Sequence, residues 1–363
     1  MVDASGLGGA IRAYVDLPSG LDAADWSARH SRGEVPDSSP YGLHRMAHYG
    51  VEVVLRPPLD GRRLGRVARA VRSRSGGLEL VEAAVDLRRR ASRDADVVLC
   101  YDERTGVPAA LLAGRPRPPV VTGIGWLTQR ATTHRVLAAA ARALPRAALV
   151  WAQCRPMLPI LAEQWGVPVS RLRFVTFGID ADFYTPVDEP REPDLVVSAG
   201  EDRHRDHDLL VRAMQEVRRR RPGIRLEIAT GLPIDLPGDL GRVYTGRLGG
   251  RMRNLYARSS LVAVALRPTP TGSGLSVVLE AMASERPVVV TANPGMEDYV
   301  RHGETGVLVP PGDVDAFAAA VEGLLADPDR AAAMGRAAAK AVRERFTTET
   351  MAEELAQVLR EVS

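Results

Sequence analysis

Short apolar runs that alternate with helical patterns constrain this chain more than any other feature. IRAYVDL (11–17), VEVVLR (51–56), DADVVLC (94–100), PPVVTGIG (118–125) and ALVWAQC (148–154) each read as a strand. A second series follows the polar linker TPVDEPREPD (185–194): DLVVSAG, IRLEIATG, VYTG, SLVAVAL, RPVVVT and TGVLV. Strands that alternate with helices pack as parallel sheets with helices on both faces. The chain has 363 residues, enough for two such domains. Pro18 to Pro40 is polar and turn-rich and reads as a long loop, and YGLHRMAHYG (41–50) shows helix spacing with a glycine stop. The last two elements, AAAMGRAAAKAVRERF (331–346) and TETMAEELAQVLREV (348–362), are amphipathic helices, with Thr350 and Glu353 spaced as a capping box.

One junction carries chemistry. In PTPTGSGLSVVLEAMASERPVVVT (268–291) a glycine-rich turn opens directly into a short apolar helix, and a buried strand follows. Gly272 and Gly274 let a backbone approach closely. The free N–H groups at the helix start favour an anion. Glu280, about one and a half turns on, is placed to accept hydrogen bonds from sugar hydroxyls. An ordinary strand–helix–strand crossover with a glycine turn would read the same.

LEAMASERPVVV (279–290) resembles the nucleotide-sugar site of the retaining GT-B glycosyltransferases that carry the E-x7-E motif, the glycosyl transferases group 1. Three more stretches resemble that family in the same order. RFVTFGIDADFYTP (173–186) is similar to its interdomain segment. GRVYTGRLGGRMRNLYARSSLVAVALRP (241–268), which includes Leu248, is similar to the elements beside the nucleotide base. ETGVLVPPGDVDAFAAAVEGLL (304–325) is similar to its closing strand and helix. The resemblance implies an α/β GT-B fold with an acceptor-binding domain over 1–186. A nucleotide-sugar-binding domain would cover 193–340, and a terminal helix (341–363) would pack back toward the first domain. It also implies that Glu280 holds the ribose, and that Gly200, Leu248, Gly272, Ser273, Gly274, Leu275 and Ser276 line the donor site. VSAGEDRHRDHDLLVRAM (197–214) resembles the family's phosphate-facing junction. Arg205 falls where the family lysine stands, and Arg203 is the candidate for the family arginine. Lys340 is the sole lysine, so arginine is the expected replacement. Two arginines at a strand–helix junction would stabilise a leaving diphosphate.

Two positions depart from the family pattern. Gly272 occupies the place of the first motif glutamate, which contacts the donor sugar, and so implies a deoxy, amino or otherwise modified sugar. Gly125 stands where many relatives have a histidine, which leaves Asp102, Glu103 and Trp126 as the polar and aromatic candidates on the acceptor side; Asp102 reads equally as a helix N-cap. Glu285 replaces a glycine at a position where φ > 0 is often needed.

Composition excludes several other classes. The net charge of +3 does not point to nucleic acid. Cys100 and Cys154 cannot build a disulfide framework, and a cytoplasmic setting is expected. No apolar run reaches the roughly 18 residues of a membrane span, and the N-terminus carries no signal pattern. GLGGAI (6–11) fails the dinucleotide fingerprint. The D-x-D lookalikes at 94–96, 180–182 and 313–315 read as caps or turns. GRRLGRVARAVRSR (61–74) reads as a solvated basic helix in preference to a membrane-surface one.

The expectation is therefore metal-independent transfer of a sugar, with retention, from a nucleoside-diphosphate sugar to a small-molecule or glycan acceptor, with no cofactor. The rivals are a GT-B nucleotide-sugar epimerase and a non-catalytic nucleotide-binding partner protein.

Overall fold

The computed structural model describes residues 10–113, 118–127, 134–246 and 248–363. Most of GLGGAI (6–11), and Arg247 in the segment beside the base, lie outside the described residues. The chain divides into two compact units. One comprises the chain up to Ser31, Ser38–Thr176 and Thr348–Ser363; the other comprises Arg32–Asp37 and Phe177–Thr347.

The first unit holds β1 (Ile11–Asp16), β2 (Val51–Leu55), β3 (Val97–Cys100), β4 (Val120–Gly123), β5 (Leu149–Ala152) and β6 (Leu172–Phe174). They form one parallel sheet in the order β2-β1-β3-β4-β5-β6. The second unit holds β7 (Leu195–Ala199), β8 (Arg225–Ala229), β9 (Gly241–Tyr244), β10 (Leu261–Val264), β11 (Val288–Thr291) and β12 (Val307–Val309). Its parallel order is β12-β11-β10-β7-β8-β9. Each sheet reverses its direction of growth once, between β1 and β3 in the first and between β7 and β10 in the second. Beyond the carboxyl ends of two such strands the following loops diverge, and doubly wound proteins bind ligands in that crevice.

The helices follow from apolar spacing. In His207–Arg220, Leu210, Met214 and Val217 are fully buried at i, i+4 and i+7. Each such side chain contributes about 1.5–3 kcal/mol on burial. Asp206 caps this helix, with Oδ1 3.1 Å from the Leu209 amide, and three arginines close it where the helix dipole favours cations. The terminal helix Thr348–Arg360 buries Met351, Leu355 and Leu359 in the first unit. Its Glu354 accepts from the Thr176 amide at 2.6 Å and hydroxyl at 2.9 Å, and Glu349 pairs with Arg45 at 3.2 Å.

Three local expectations need correction. The stretch 18–40 contains a helix, Ala23–Ser31, which starts where Asp22 accepts from the Ala24 and Asp25 amides at 3.0 Å. None of its residues is buried, so no apolar stripe marked it. The segment Pro40–Tyr49 is a 3-10 helix kinked at Tyr41 and Gly42. Thr350 and Glu353 lie inside the last helix, which begins at Thr348, so they do not form its capping box. The D-x-D lookalikes serve as caps and turns. Asp313 caps Val314–Ala326, and Asp180 accepts from the amides of Asp182 and Phe183. Among the described residues no helix is long and apolar enough to cross a membrane.

Candidate functional site

The switch point of the second unit gathers most of the residues singled out from the sequence. The loop after β7 and the loop after β10 are stitched together by backbone bonds: the Asp206 amide donates to the Ala265 carbonyl at 3.0 Å, and the Arg267 amide to the His204 carbonyl at 2.7 Å. Arg205 is thereby drawn under the glycine turn and is only 5% exposed. Gly200 turns the chain at φ +131, and a Cβ there would fall 2.0 Å from Arg205 Nε. Gly274 has φ +89, and its Cβ would meet Arg205 Nη1 at 3.3 Å. The guanidinium leaves no room for a side chain at Gly200, and the positive φ favours glycine at 274.

That guanidinium is incompletely paired. Nε lies 3.1 Å from Asp202 Oδ2 as an ion pair, and neither Nε nor Nη1 has a hydrogen-bond partner among the described residues. Burial lowers the Arg205 pKa from its ordinary value, against the pull of Asp202, Tyr256 and Glu280. A buried cation with a free donor costs free energy unless an anion joins it. The helix Leu275–Ala283 starts at Gly274, which offers no side-chain cap, so the first-turn amides lack intrahelical acceptors.

Glu280 projects from that helix toward two tyrosines. Its Oε2 accepts from the Tyr256 hydroxyl at 2.8 Å. Burial pushes its pKa up to about 7, opposed by the Tyr256 and Tyr184 hydroxyls and by Arg205. The tyrosine rings lie 6.4 Å apart, and the Ser284 hydroxyl, one turn beyond Glu280, anchors the Tyr184 carbonyl at 3.0 Å. The two phenols hold the carboxylate in place.

The remaining donor-side residues divide. The Ser273 hydroxyl donates to Asp202 Oδ1 at 2.9 Å. Leu275 is buried and its amide already donates to the Gly272 carbonyl at 3.3 Å, whereas Ser276 is partly exposed. At Gly272 a Cβ would meet Leu275 Cδ1 at 2.7 Å. Leu248 heads the 3-10 turn Gly249–Arg251, which leads into the helix Met252–Arg258 that delivers Tyr256. Arg203 is exposed, with Nε 3.3 Å from His204 Nε2, so the two arginines occupy different environments. Asp202, Tyr184 and Tyr256 were not singled out from the sequence. Their partners lie 71, 96 and 24 positions away, and no local spacing signals them.

In the first unit the switch point is filled by its own side chains. Asp102 caps the helix Glu103–Leu112 by accepting from the Arg104 amide at 2.9 Å, and its other oxygen binds Arg104 Nε at 2.8 Å. Glu103 accepts from the amides of Gly125 at 2.9 Å and Trp126 at 2.7 Å, which fixes the turn after β4. Burial and the neighbouring Asp102 raise the Glu103 pKa to about 7. Trp126 is 52% exposed, with the Arg104 guanidinium 6.0 Å from its ring. A cavity of about 220 Å³ opens beside the loop after β1, lined in part by Ser19, Asp22, Arg56, Arg69 and Arg72. Among the described residues no cluster of His, Cys, Asp or Glu is arranged to hold a metal ion.

Two doubly wound α/β units of this topology define the GT-B class. A sucrose-phosphate synthase from Thermosynechococcus elongatus shares the fold over 96% of this chain and 98% of its own, with TM-score 0.76 at 19% identity. The Anabaena protein HepE, solved with UDP-glucose, shares it over 96% of this chain and 99% of its own, with TM-score 0.67 at 18% identity. Residues 193–327 match the family described as Glycosyl transferases group 1. A GDP-mannose-dependent alpha-(1-6)-phosphatidylinositol monomannoside mannosyltransferase of Mycolicibacterium smegmatis is 33% identical over 219 residues, 53% of this chain and 57% of that protein. A D-inositol 3-phosphate glycosyltransferase of Mycolicibacterium paratuberculosis is 33% identical over 197 residues, 47% of this chain and 43% of its own. The chain thus spans about half the length of these curated relatives.

Proposed function

We propose that this protein is a retaining glycosyltransferase, in which the second unit binds a nucleoside-diphosphate sugar and the first binds the acceptor. The observation that carries the reading is the buried, incompletely paired Arg205 beneath a glycine turn at a helix N-terminus. A diphosphate placed on the turn would complete the guanidinium's pairing and meet the open amides. Negative charge grows on that diphosphate as the bond to the sugar's anomeric carbon breaks, so the same groups favour the transition state. The acceptor hydroxyl attacks from the face the leaving group vacates, and its proton passes to a departing phosphate oxygen. The anomeric configuration is retained. Arg205 and the helix N-terminus supply the positive field in this scheme, so no divalent metal is required.

Glu280 is assigned to the ribose hydroxyls. The similar mannosyltransferases are named for GDP-mannose, which makes it the first donor to try. The relatives named for phosphatidylinositol monomannoside and inositol 3-phosphate point to a polyol acceptor bearing phosphate. The cavity with Ser19, Asp22 and Arg69 in its lining suits such a group. A second reading, nucleotide binding without turnover, is motivated by Gly272 and Gly125.

A thermal-shift panel of GDP-mannose, UDP-glucose, UDP-N-acetylglucosamine and a deoxysugar nucleotide, followed by product analysis with polyol and inositol phosphate acceptors, tests the proposal. Stabilisation by one donor and a glycosylated product with retained configuration are expected. Stabilisation without product under any acceptor would favour the second reading. No response to any nucleotide would defeat both.

A further inference from the structure

We infer that Asp202 supplies the carboxylate that binds the donor sugar, in place of the one Gly272 lacks. The inference rests on the reading of the second unit as a nucleoside-diphosphate-sugar site. Gly272 removes a carboxylate from the glycine turn, yet the structure puts another one against that same turn. Asp202 Oδ1 lies 2.9 Å from the hydroxyl of Ser273, the residue directly after Gly272. The same oxygen accepts from the His204 amide at 2.9 Å, and Oδ2 pairs with Arg205 Nε at 3.1 Å. An ionised carboxylate has about four acceptor sites. Two hydrogen bonds fall on Oδ1, Oδ2 faces Arg205 Nε as an ion pair without a hydrogen bond, and the side chain is 29% exposed, which leaves acceptor capacity on Oδ2 for a ligand hydroxyl.

Two hydrogen-bond donors and the ion pair with Arg205 hold this carboxylate in one orientation, as a specificity group requires. Its link to Arg205 is chemically useful as well. The sugar would sit next to the phosphate that Arg205 faces, so one short loop, Gly200 to Asp206, would read both halves of the donor. A carboxylate aimed at a sugar without the matching hydroxyl would be left with an unpaired acceptor. The donor expected from this arrangement is therefore a hydroxylated hexose. That replaces the deoxy or amino sugar that Gly272 alone suggests.

Asp202 could instead act only as a brace for Arg205, and the two roles separate in binding measurements. Calorimetry would compare wild type, Asp202→Asn and Asp202→Ala with GDP-mannose and GDP, and with UDP-glucose and UDP. If Asp202 binds the sugar, affinity for the preferred nucleotide sugar falls about tenfold or more, while affinity for its nucleoside diphosphate stays within about twofold. Gly272→Glu in the Asp202→Ala background should restore part of the sugar's contribution, because Leu275 Cδ1 is the end of a flexible side chain. Equal losses for nucleotide sugar and nucleoside diphosphate would reduce Asp202 to a brace and overturn the inference. Unchanged affinity for both would overturn it too. Failure of wild type to bind any of the four would instead sink the donor-site reading, and the inference with it.

Discussion

The two units share one architecture, a six-stranded parallel sheet with a single reversal, but their switch points are finished differently. In the second unit the crevice ends in glycines, a buried guanidinium with a free donor, and a carboxylate held by phenols. In the first unit the buried guanidinium, Arg56, also has an Nη1 without a hydrogen-bond partner among the described residues, but it is ion-paired to two carboxylates where Arg205 is paired to one. Tyr41 stacks on Tyr101 with centroids 3.7 Å apart, and Arg56 pairs with Asp16 at 2.9 Å and Glu79 at 2.9 Å. Glu103 spends both oxygens on backbone amides. A parallel sheet supplies the crevice in both cases, but the carboxylates beside Arg56 outnumber its charge, whereas Arg205 faces a single one. The first unit's cavity is lined in part by Arg56, Arg72 and Glu82 of its pairing network.

The sharpest way to break this contrast is to remove the incomplete pairing. Arg205→Met keeps most of the volume and removes the charge. Replacing a buried charge with an apolar group of similar size is commonly neutral or stabilising, so the ligand-free protein should melt no lower than wild type. Transfer should fall by about 100-fold or more, the loss typical of removing one donor to a developing anion. A clear drop in melting temperature with transfer intact would make Arg205 a structural residue and erase the difference between the two switch points.

Glu280→Ala tests the same crevice from the nucleoside side. Donor binding should weaken by about 1–3 kcal/mol, the cost of leaving hydroxyls unpaired. Calorimetry that finds the same affinity for the nucleoside diphosphate would take Glu280 out of the site.

The first unit is probed through Glu103. Its pKa rises from the ordinary 4.5 to about 7 in the folded protein, so the fold favours the protonated form. The stability this contributes is fully present below about pH 4.5 and is lost as pH rises through about 7. Glu103→Gln cannot ionise, so the stability difference between wild type and variant should shift in favour of the variant from pH 5 to pH 8. Urea denaturation at the two pH values checks this, and a difference that does not change with pH would mean that Glu103 is ionised throughout.

The smallest effect is expected away from both sites. Glu285 follows the Glu280 helix with φ +56, a conformation that costs a residue with a Cβ about 1 kcal/mol. Glu285→Gly should raise stability by up to that amount, less glycine's greater entropy in the unfolded chain. Donor affinity should not change. A lower melting temperature would show that the Glu285 side chain contributes more than its backbone costs.

Much of this molecule is legible in its sequence because parallel strands buried on both faces are continuous apolar runs. DLVVSAG, SLVAVAL and RPVVVT became β7, β10 and β11. The strand β6 escaped because Leu172–Phe174 is only three residues with a central arginine. The helix Ala23–Ser31 escaped because it buries nothing. At the site, the glycine turn and Glu280 are local features legible in the residues, and Arg205 is placed by the resemblance of its junction to the family's. What holds them is not local. Asp202 meets Ser273 only because the switch point brings β7 and β10 together, and Tyr256 meets Glu280 because their two helices flank β10. Sequence separation hides such pairs until the topology is known.

The central claim, that the second unit's switch point is a diphosphate site built on Arg205, is tested most directly by one calorimetric comparison. Each of GDP, UDP, ADP and dTDP is titrated against wild type, and the tightest is compared with its bare nucleoside in wild type and Arg205→Met. The account predicts that the diphosphate adds at least about tenfold in affinity in wild type and that this gain disappears in the variant. Equal binding of nucleoside and nucleoside diphosphate to wild type, or a diphosphate gain that survives in Arg205→Met, would contradict it.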